Sequence, residues 1–77
     1  LTNLTELQLD NTQVSDLKPL EKLKKLQKLD IKNTNVTDVS PLKGLTDLKV
    51  LNVGGCAINN LDTIQPLVSK GLRIVHD

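Results

Sequence analysis

The sequence predicts an α/β repeat solenoid, with a short parallel β-sheet on its concave face and 3₁₀ or extended segments on its convex face. Three observations predict this architecture: apolar residues recur every 22 residues, a polar signature recurs with them, and each repeat holds an alternating apolar pair. A repeat of this length cannot bury an apolar face alone, so successive repeats stack around one continuous core. The 77 residues therefore form a single array.

Seven apolar columns keep the 22-residue spacing across three consecutive repeats. The columns are Leu4/Leu26/Leu48, Leu7/Leu29/Leu51, Leu9/Ile31/Val53, Val14/Val36/Ile58, Leu17/Val39/Leu61, Leu20/Leu42/Ile64 and Leu23/Leu45/Leu67. We expect one array over 1–77: the tail of a preceding repeat at 1–3, repeats at 4–25, 26–47 and 48–69, and a terminal strand with the C-terminal end at 70–77. The three repeats are called the first, second and third coils below.

The polar signature is strongest in the first two coils, which are identical at 9 of 22 aligned positions. It consists of Asn11-Thr12 with Asn33-Thr34, Asp16 with Asp38, and Pro19-Leu20 with Pro41-Leu42; the third coil has Gly55-Cys56, Asn60 and Thr63-Ile64 at these places. Terminal repeats are commonly atypical. We therefore expect the array to end near the third coil. Because residues 1–3 match the tail of a repeat, we also expect a parent protein with further repeats or a cap before Leu1.

The chain resembles leucine-rich repeat proteins of the 22-residue class, to which the bacterial internalins and the leucine-rich regulators of protein phosphatase 1 belong. Segments 11–20 and 33–42 are most similar to internalin-like repeats, and the resemblance covers nearly the whole chain. It implies a leucine-rich repeat fold that binds another protein. An internalin-like protein would be secreted or on the cell surface, and a phosphatase-regulator-like protein would be cytoplasmic or nuclear; the sequence leaves this open.

Each coil is predicted to contain one strand. Leu7 and Leu9 alternate with period two, which places both side chains on the same face of a short strand. Equivalent strands are expected around 29–31 and 51–53, parallel to the first and about 4.8 Å apart.

The return path of each coil is predicted to be irregular. Apolar residues recur every three from Val14 onward, which favours 3₁₀ or extended structure on the convex side. Ser40-Pro41 resembles a cap residue followed by proline at the first helical position.

The turn after each strand is occupied in this family by asparagine and here by Thr12, Thr34 and Cys56. We expect this structural turn column to bond main-chain groups within the coil, through the threonine hydroxyls and only weakly through the thiol. Gly54-Gly55 would relax the backbone of the last regular turn; no Gly-Lys-Ser/Thr follows it, so it is not a phosphate loop. Gly71 would mark the tight entry to the final strand.

The final strand is predicted over 72–75, in a repeat that is one residue short of the 22-residue register. This shift would stack His76 and Asp77 beside Gly55 and Cys56. A cysteine near a histidine suggests a nucleophile and its base, but no orienting group or oxyanion donor accompanies them. We therefore expect a buried structural cysteine and an exposed terminal histidine, and the two are too few ligands for a metal site.

The outward positions of the strands form the candidate partner-binding surface. They are Glu6, Gln8, Asp10, Lys28, Asp30, Lys32, Val50, Asn52 and Arg73, with expected rows Glu6–Lys28–Val50 and Gln8–Asp30–Asn52–Arg73 across the sheet. Solenoids commonly bind through their concave face, so we expect partner contact here. The alternative interpretation is a solvated sheet face whose neighbouring charges pair, each pair contributing only about 0.2–1 kcal/mol.

The composition argues against several other functions. Ten Lys and Arg oppose nine Asp and Glu, so no overall field attracts nucleic acid or an anionic membrane. Aromatic residues are absent, which removes the stacking platforms of single-strand binders, and no apolar run approaches the roughly 20 residues of a transmembrane helix. The local lysines, Lys22, Lys24, Lys25 and Lys28, fill solvated positions between inward leucines; an acidic or nucleic-acid partner is the weaker interpretation.

We therefore expect a protein–protein interaction module, part of a longer leucine-rich repeat protein, with no catalytic residues, cofactor or metal. Its partner would be another protein, without nucleic acid or membrane insertion. The alternative is a structural C-terminal end or cap of a solenoid whose partner site or catalytic domain lies elsewhere in the parent. The exposed first repeat would also permit end-to-end self-association, and so short an array is expected to have low stability in isolation.

Overall fold

The computed structural model, which describes residues 3–76, contains one four-stranded parallel sheet in the order β1-β2-β3-β4. The strands are β1 (Glu6–Gln8), β2 (Lys28–Asp30), β3 (Val50–Asn52) and β4 (Arg73–Val75). Each strand carries one inward aliphatic residue between two outward residues, as the alternation of the sequence requires. The predicted α/β repeat solenoid is confirmed.

Short helical segments line the convex side. Three 3₁₀ segments occupy Lys18–Lys22, Ser40–Leu42 and Leu61–Ile64. The last of them continues into an α-helix, α1 (Gln65–Ser69), which was not predicted from the sequence. Proline stands within the first two positions of α1 and of the first two 3₁₀ segments, where its missing N–H leaves no helical hydrogen bond unmade.

Aliphatic side chains form one core that runs through all the coils. The second coil is covered on both sides, and its inward residues Leu26, Val36, Leu42 and Leu45 are fully buried. The half-buried aliphatic residues belong instead to the two terminal coils: Leu4, Leu7, Leu9, Val14 and Leu20 at one end, and Ile58, Leu61, Val68 and Ile74 at the other. Burial is therefore most complete in the coil that has a neighbour on each side, although Leu17 in the first coil is buried as well.

The last strand corrects the predicted register. Leu29 pairs with Leu51 at a spacing of 22, but Leu51 pairs with Ile74 at a spacing of 23, so the final repeat is longer by one residue and not shorter. The physical reason is its closing turn. Leu72 N–H donates to the carbonyl of Leu67, five residues back, whereas the equivalent bonds of the first two coils span three. The helix α1 and Gly71, at φ +113°, occupy this longer turn.

Candidate functional site

The outward residues of the four strands form two rows across the concave face. The first row is Glu6, Lys28, Val50 and Arg73, and the second is Gln8, Asp30, Asn52 and Val75. Arg73 therefore stands in the row of Glu6 and not, as predicted, in the row of Gln8, because the final repeat is one residue longer. The structure brings together all the predicted outward strand residues, and it adds Val75, which the wrong register had excluded.

Asp10 and Lys32 lie just beyond the strands and extend the surface at one edge. Both are half-buried. The carboxylate of Asp10 accepts a hydrogen bond from the Asn11 side chain at 3.3 Å, and the Asn11 N–H donates to the Lys32 carbonyl at 2.9 Å. These two residues thus belong to the turns that leave the sheet more than to the sheet itself.

The first row contains the one ion pair found among the described residues. Lys28 Nζ lies 3.9 Å from Glu6 Oε2, and the two side chains are 63% and 67% exposed. An exposed pair at this distance contributes about 0.2–1 kcal/mol at most. Its main effect is to neutralise the carboxylate of Glu6 on the concave face.

The second row has a structural role besides any contact with a partner. Asp30 Oδ1 accepts a hydrogen bond from the Lys32 N–H, and Asn52 Oδ1 accepts one from the Gly54 N–H, each at 2.9 Å. Both are Asx turns, in which a side chain replaces the main-chain acceptor at a bend. These two side chains are consequently fixed in direction.

A shallow depression of about 210 Å³ lies in the middle of the concave face. It is bordered by the outward residues Glu6, Gln8, Lys28, Asp30, Val50, Asn52 and Val75. Its aliphatic part comes from the half-buried Val50 and Val75 and from Leu7 and Leu29, which also line it. The depression therefore coincides with most of the surface that the sequence predicts for partner contact.

The turn column behaves largely as predicted. Thr12 Oγ1 donates to the Leu9 carbonyl at 2.6 Å, and Thr34 Oγ1 donates to the Ile31 carbonyl at 2.7 Å. Cys56 differs, because its thiol donates to the carbonyl of Ile31 in the preceding coil at 3.0 Å. The prediction of bonding within the coil is thus confirmed for both threonines and wrong for the cysteine, which links two coils.

A second turn column, of which the sequence predicted only the relaxed backbone at Gly54-Gly55, lies one residue before the first. Asn11 and Asn33 adopt φ of 61° and 57°, and Gly55 in the same column adopts 74°. The Asn33 side chain donates to Asn11 Oδ1 at 3.1 Å, and its own Oδ1 lies where a Cβ on Gly55 would stand. The signal was present in the sequence, since Asn is among the few non-glycine residues that tolerate positive φ.

Comparison with known proteins supports this geometry. A family model described as leucine-rich repeats, two copies, matches residues 2–43 and 24–69. The chain belongs to the leucine-rich repeat family. Among solved structures, this leucine-rich repeat chain is similar to internalin C2 from Listeria monocytogenes, with 24% sequence identity and a TM-score of 0.74. The match covers 99% of this chain and 43% of internalin C2, so the chain spans less than half of that protein's length. No curated protein sequence matches significantly.

On the convex side, the leucine-rich repeats carry a polar ladder that links neighbouring coils. Asp38 Oδ1 accepts hydrogen bonds from Asn60 Nδ2 at 2.7 Å and from the Ser40 N–H at 2.8 Å. Asn60 Oδ1 in turn accepts one from the Val39 N–H at 3.0 Å. These bonds, first that of the Asn60 side chain and then that of the Ser40 backbone, hold the pKa of Asp38 below its ordinary value.

This ladder also corrects the predicted cap. Ser40 is the first residue of its 3₁₀ segment, and no side-chain cap is formed. The acceptor for its N–H is the aspartate two residues before it, as Asp16 is for Lys18 at 2.9 Å. An aspartate in this position forms an Asx turn that starts the helical turn.

The remaining candidate residues do not assemble into a site. Lys28 lies in β2, whereas Lys22 lies in a convex 3₁₀ segment, so the local lysines do not share one face. Cys56 is half-buried and His76 is exposed. The longer register places His76 directly after the pair Asn52–Val75, not beside Gly55, and Asp77 lies outside the described residues.

Residues 3–76 contain neither a metal-binding cluster nor a membrane-spanning helix. No three His, Cys, Asp or Glu side chains there are grouped so that they could hold a metal ion. None of the helices in the same range has both the length and the apolar character needed to cross a bilayer.

Proposed function

We propose that this chain is a non-catalytic protein-interaction module and that its concave sheet face contacts the partner. The observation that carries the proposal is the register of the four strands, which places eight outward side chains in two rows, seven of them around one depression. Parallel strands in a solenoid present such rows in fixed positions, and extended concave surfaces of this kind serve for binding. We further propose that the chain acts as part of a longer array.

The test is affinity capture from a lysate of the source organism, followed by identification of the captured proteins. The variant Lys28→Glu/Lys32→Glu reverses two concave charges, and Lys22→Glu/Lys43→Glu reverses two exposed convex charges with the same change in net charge. We expect a captured protein to be lost with the concave variant and kept with the convex one. Circular dichroism checks that both variants are folded. Equal capture by the two variants would place the contact elsewhere.

The alternative function is that of a structural end of the solenoid. The observation that favours it is the closing part of the chain, where α1 and the five-residue turn before β4 replace the regular return of the other coils. Removing residues 48–77 from the longer protein would then lower its melting temperature and leave the affinity of the folded fraction unchanged. A selective loss of affinity would exclude this alternative.

End-to-end self-association is a further candidate for the isolated chain. The half-buried aliphatic residues lie in the two terminal coils, and both edge strands of the sheet have one unpaired side. Edges and apolar ends of this kind invite head-to-tail stacking, which is open-ended. Sedimentation velocity over a range of concentrations tests it: a coefficient that rises with concentration is expected, and a constant monomer value would reject it.

A further inference from the structure

The two halves of the concave face carry different charges. In the half formed by β1 and β2, Glu6 is paired with Lys28, and Asp30 has one oxygen bonded to the main chain. In the half formed by β3 and β4, the outward residues are Val50, Asn52, Arg73 and Val75, which include one cation and no carboxylate. The C-terminal half of the concave face is therefore aliphatic and neutral except for Arg73, which stands in the first row beside the depression.

Val50 stands between two cations in the first row. Lys28 is its neighbour on β2 and Arg73 is its neighbour on β4. Adjacent strands are about 4.8 Å apart, so the two cationic residues flank a gap of about 10 Å with half-buried Val50 as its floor. Arg73 is long enough to reach a carboxylate above Val50, and Lys28 reaches it by turning its exposed ammonium away from Glu6, from which it is 3.9 Å distant.

Asn52 adds a neutral donor beside this gap. Its Oδ1 is occupied by the Gly54 N–H, which fixes the amide and turns Nδ2 away from that bond. Among the described residues, no side chain or carbonyl accepts a hydrogen bond from Nδ2. The Asn52 amide, which borders the depression, thus has a free N–H available to an incoming acceptor.

We propose that this half of the concave face binds a protein segment that carries a carboxylate next to an aliphatic side chain. The inference rests on the proposed function and specifies the chemistry of the partner. The carboxylate lies over Val50, between Lys28 and Arg73, and accepts a hydrogen bond from Asn52; the neighbouring aliphatic side chain packs on Val50 and Val75.

Nucleic acid fits this surface less well than an acidic segment does. Glu6 and Asp30 border the same depression, and they oppose a continuous run of phosphates while leaving room for a single carboxylate. Aromatic residues for base stacking are absent from the sequence. The rows therefore favour one local negative charge over a polyanion.

The binding test uses a random 12-residue peptide library displayed on phage and selected on the full chain. We expect the enriched peptides to contain Asp or Glu beside Val, Ile or Leu. Their Kd, measured by fluorescence anisotropy, should rise at least about tenfold in Lys28→Glu/Arg73→Glu, which corresponds to 1.4 kcal/mol. It should change less than about twofold in the matched convex variant Lys22→Glu/Lys43→Glu.

A second pair of variants tests the position of the carboxylate. Asn52→Asp keeps the oxygen that accepts the Gly54 N–H and replaces the free donor by a negative charge; Asp30 shows that an aspartate makes the same turn. We expect weaker peptide binding with an unchanged circular dichroism spectrum. Asp30→Asn makes the opposite change in the same row, and we expect it to bind the acidic peptides more tightly.

Several results would overturn the inference. Enriched peptides without acidic residues would contradict it, and so would acidic peptides that bind wild type and Lys28→Glu/Arg73→Glu equally. Tighter binding of a 20-nucleotide polyuridine than of any peptide, or no enrichment at all, would also reject it. Enriched peptides without a carboxylate that no longer bind the concave variant would reject the proposed carboxylate ligand but not the proposed protein-interaction function. The lysate experiment tests that function separately.

Discussion

The second and third coils share the same columns of aliphatic side chains but are linked to their neighbours by different polar groups. The second coil uses Asn33, Thr34 and Asp38, each of which has a related residue in the first coil. The third coil has Gly55, Cys56 and Asn60 at these places. Each of them lies against the side chain at the equivalent position of the second coil. The differences in the third coil are thus complementary to the second coil.

The apolar columns and the polar columns have different roles in the fold. The apolar columns determine that the coils stack, because stacking removes their side chains from water: Leu26 of the second coil is fully buried, whereas Leu4 of the same column in the first coil is half-buried. The polar columns determine how neighbouring turns fit together. Asn33 fills the space that a side chain on Gly55 would need, and Asn60 donates a hydrogen bond that an aspartate in its place could not donate to Asp38.

The largest expected effect comes from the apolar columns. Leu26→Ala in the second coil removes a fully buried side chain and is expected to destabilise the chain by about 2–5 kcal/mol. Leu4→Ala changes the same column in the first coil, where the leucine is half-buried, and the loss should be clearly smaller. Urea denaturation followed by circular dichroism measures both. Equal losses would show that burial does not depend on the neighbouring coil.

The next effect concerns the positive-φ column. Gly55→Ala places a Cβ against Asn33 Oδ1 and forces a non-glycine residue to keep φ near +74°. We expect a loss of about 1–2 kcal/mol from the left-handed backbone, before any displacement of Asn33. Gly44→Ala is the control, because the added Cβ would meet only the flexible end of Lys24 at 3.1 Å. If both alanines have the same effect in urea denaturation, the interlocking of Asn33 and Gly55 is unimportant.

A smaller effect is expected in the pH dependence of stability. The folded pKa of Asp38 lies below its ordinary value, so its ionised form stabilises the fold. This contribution is complete above the unfolded pKa, about 4, and is lost as the pH falls through the lower folded pKa. In Asp38→Asn, stability measured by urea denaturation should fall less on acidification than in wild type. An unchanged acid dependence would argue against the ladder with Asn60.

The smallest effect is expected from the concave ion pair. Glu6→Gln removes the partner of Lys28 at 3.9 Å and should lower stability by no more than about 1 kcal/mol. The difference from wild type should decrease between about 0.01 M and 1 M NaCl, because salt screens exposed charges. Thermal melts at both concentrations provide the measurement. A large, salt-independent loss would mean that Glu6 has a packing role as well.

The architecture could be read from the sequence because it follows from spacing alone. Columns such as Leu7, Leu29 and Leu51 specify parallel strands in register without knowledge of any contact. The register of β4 could not be obtained in this way. It depends on how many residues the closing turn holds, and α1 forms in the segment where two buried side chains, Ile64 and Leu67, anchor the chain to the core.

The sequence predicted most of the residues of the candidate site, but not the row in which each stands or the direction of its side chain. Alternation identifies Glu6, Lys28 and Val50 as outward residues, and the structure agrees. Whether Arg73 extends this row or the next one depends on a single residue in the preceding turn. Likewise, the direction of Asn52 follows from its bond to Gly54, and such a bond depends on backbone geometry that a column pattern does not contain.

The interlocking of Asn11, Asn33 and Gly55 has a consequence for how such a chain can change in evolution. The Asn33 side chain contacts Asn11 of the first coil on one side and Gly55 of the third coil on the other. The second coil therefore fits next to a coil with asparagine at this position and next to one with glycine. A gene duplication that inserts a second copy of residues 26–47 would therefore join correctly at both junctions. The array can lengthen by whole units of 22 residues, whereas an insertion of another length has to be accommodated in a turn, as the extra residue before β4 is.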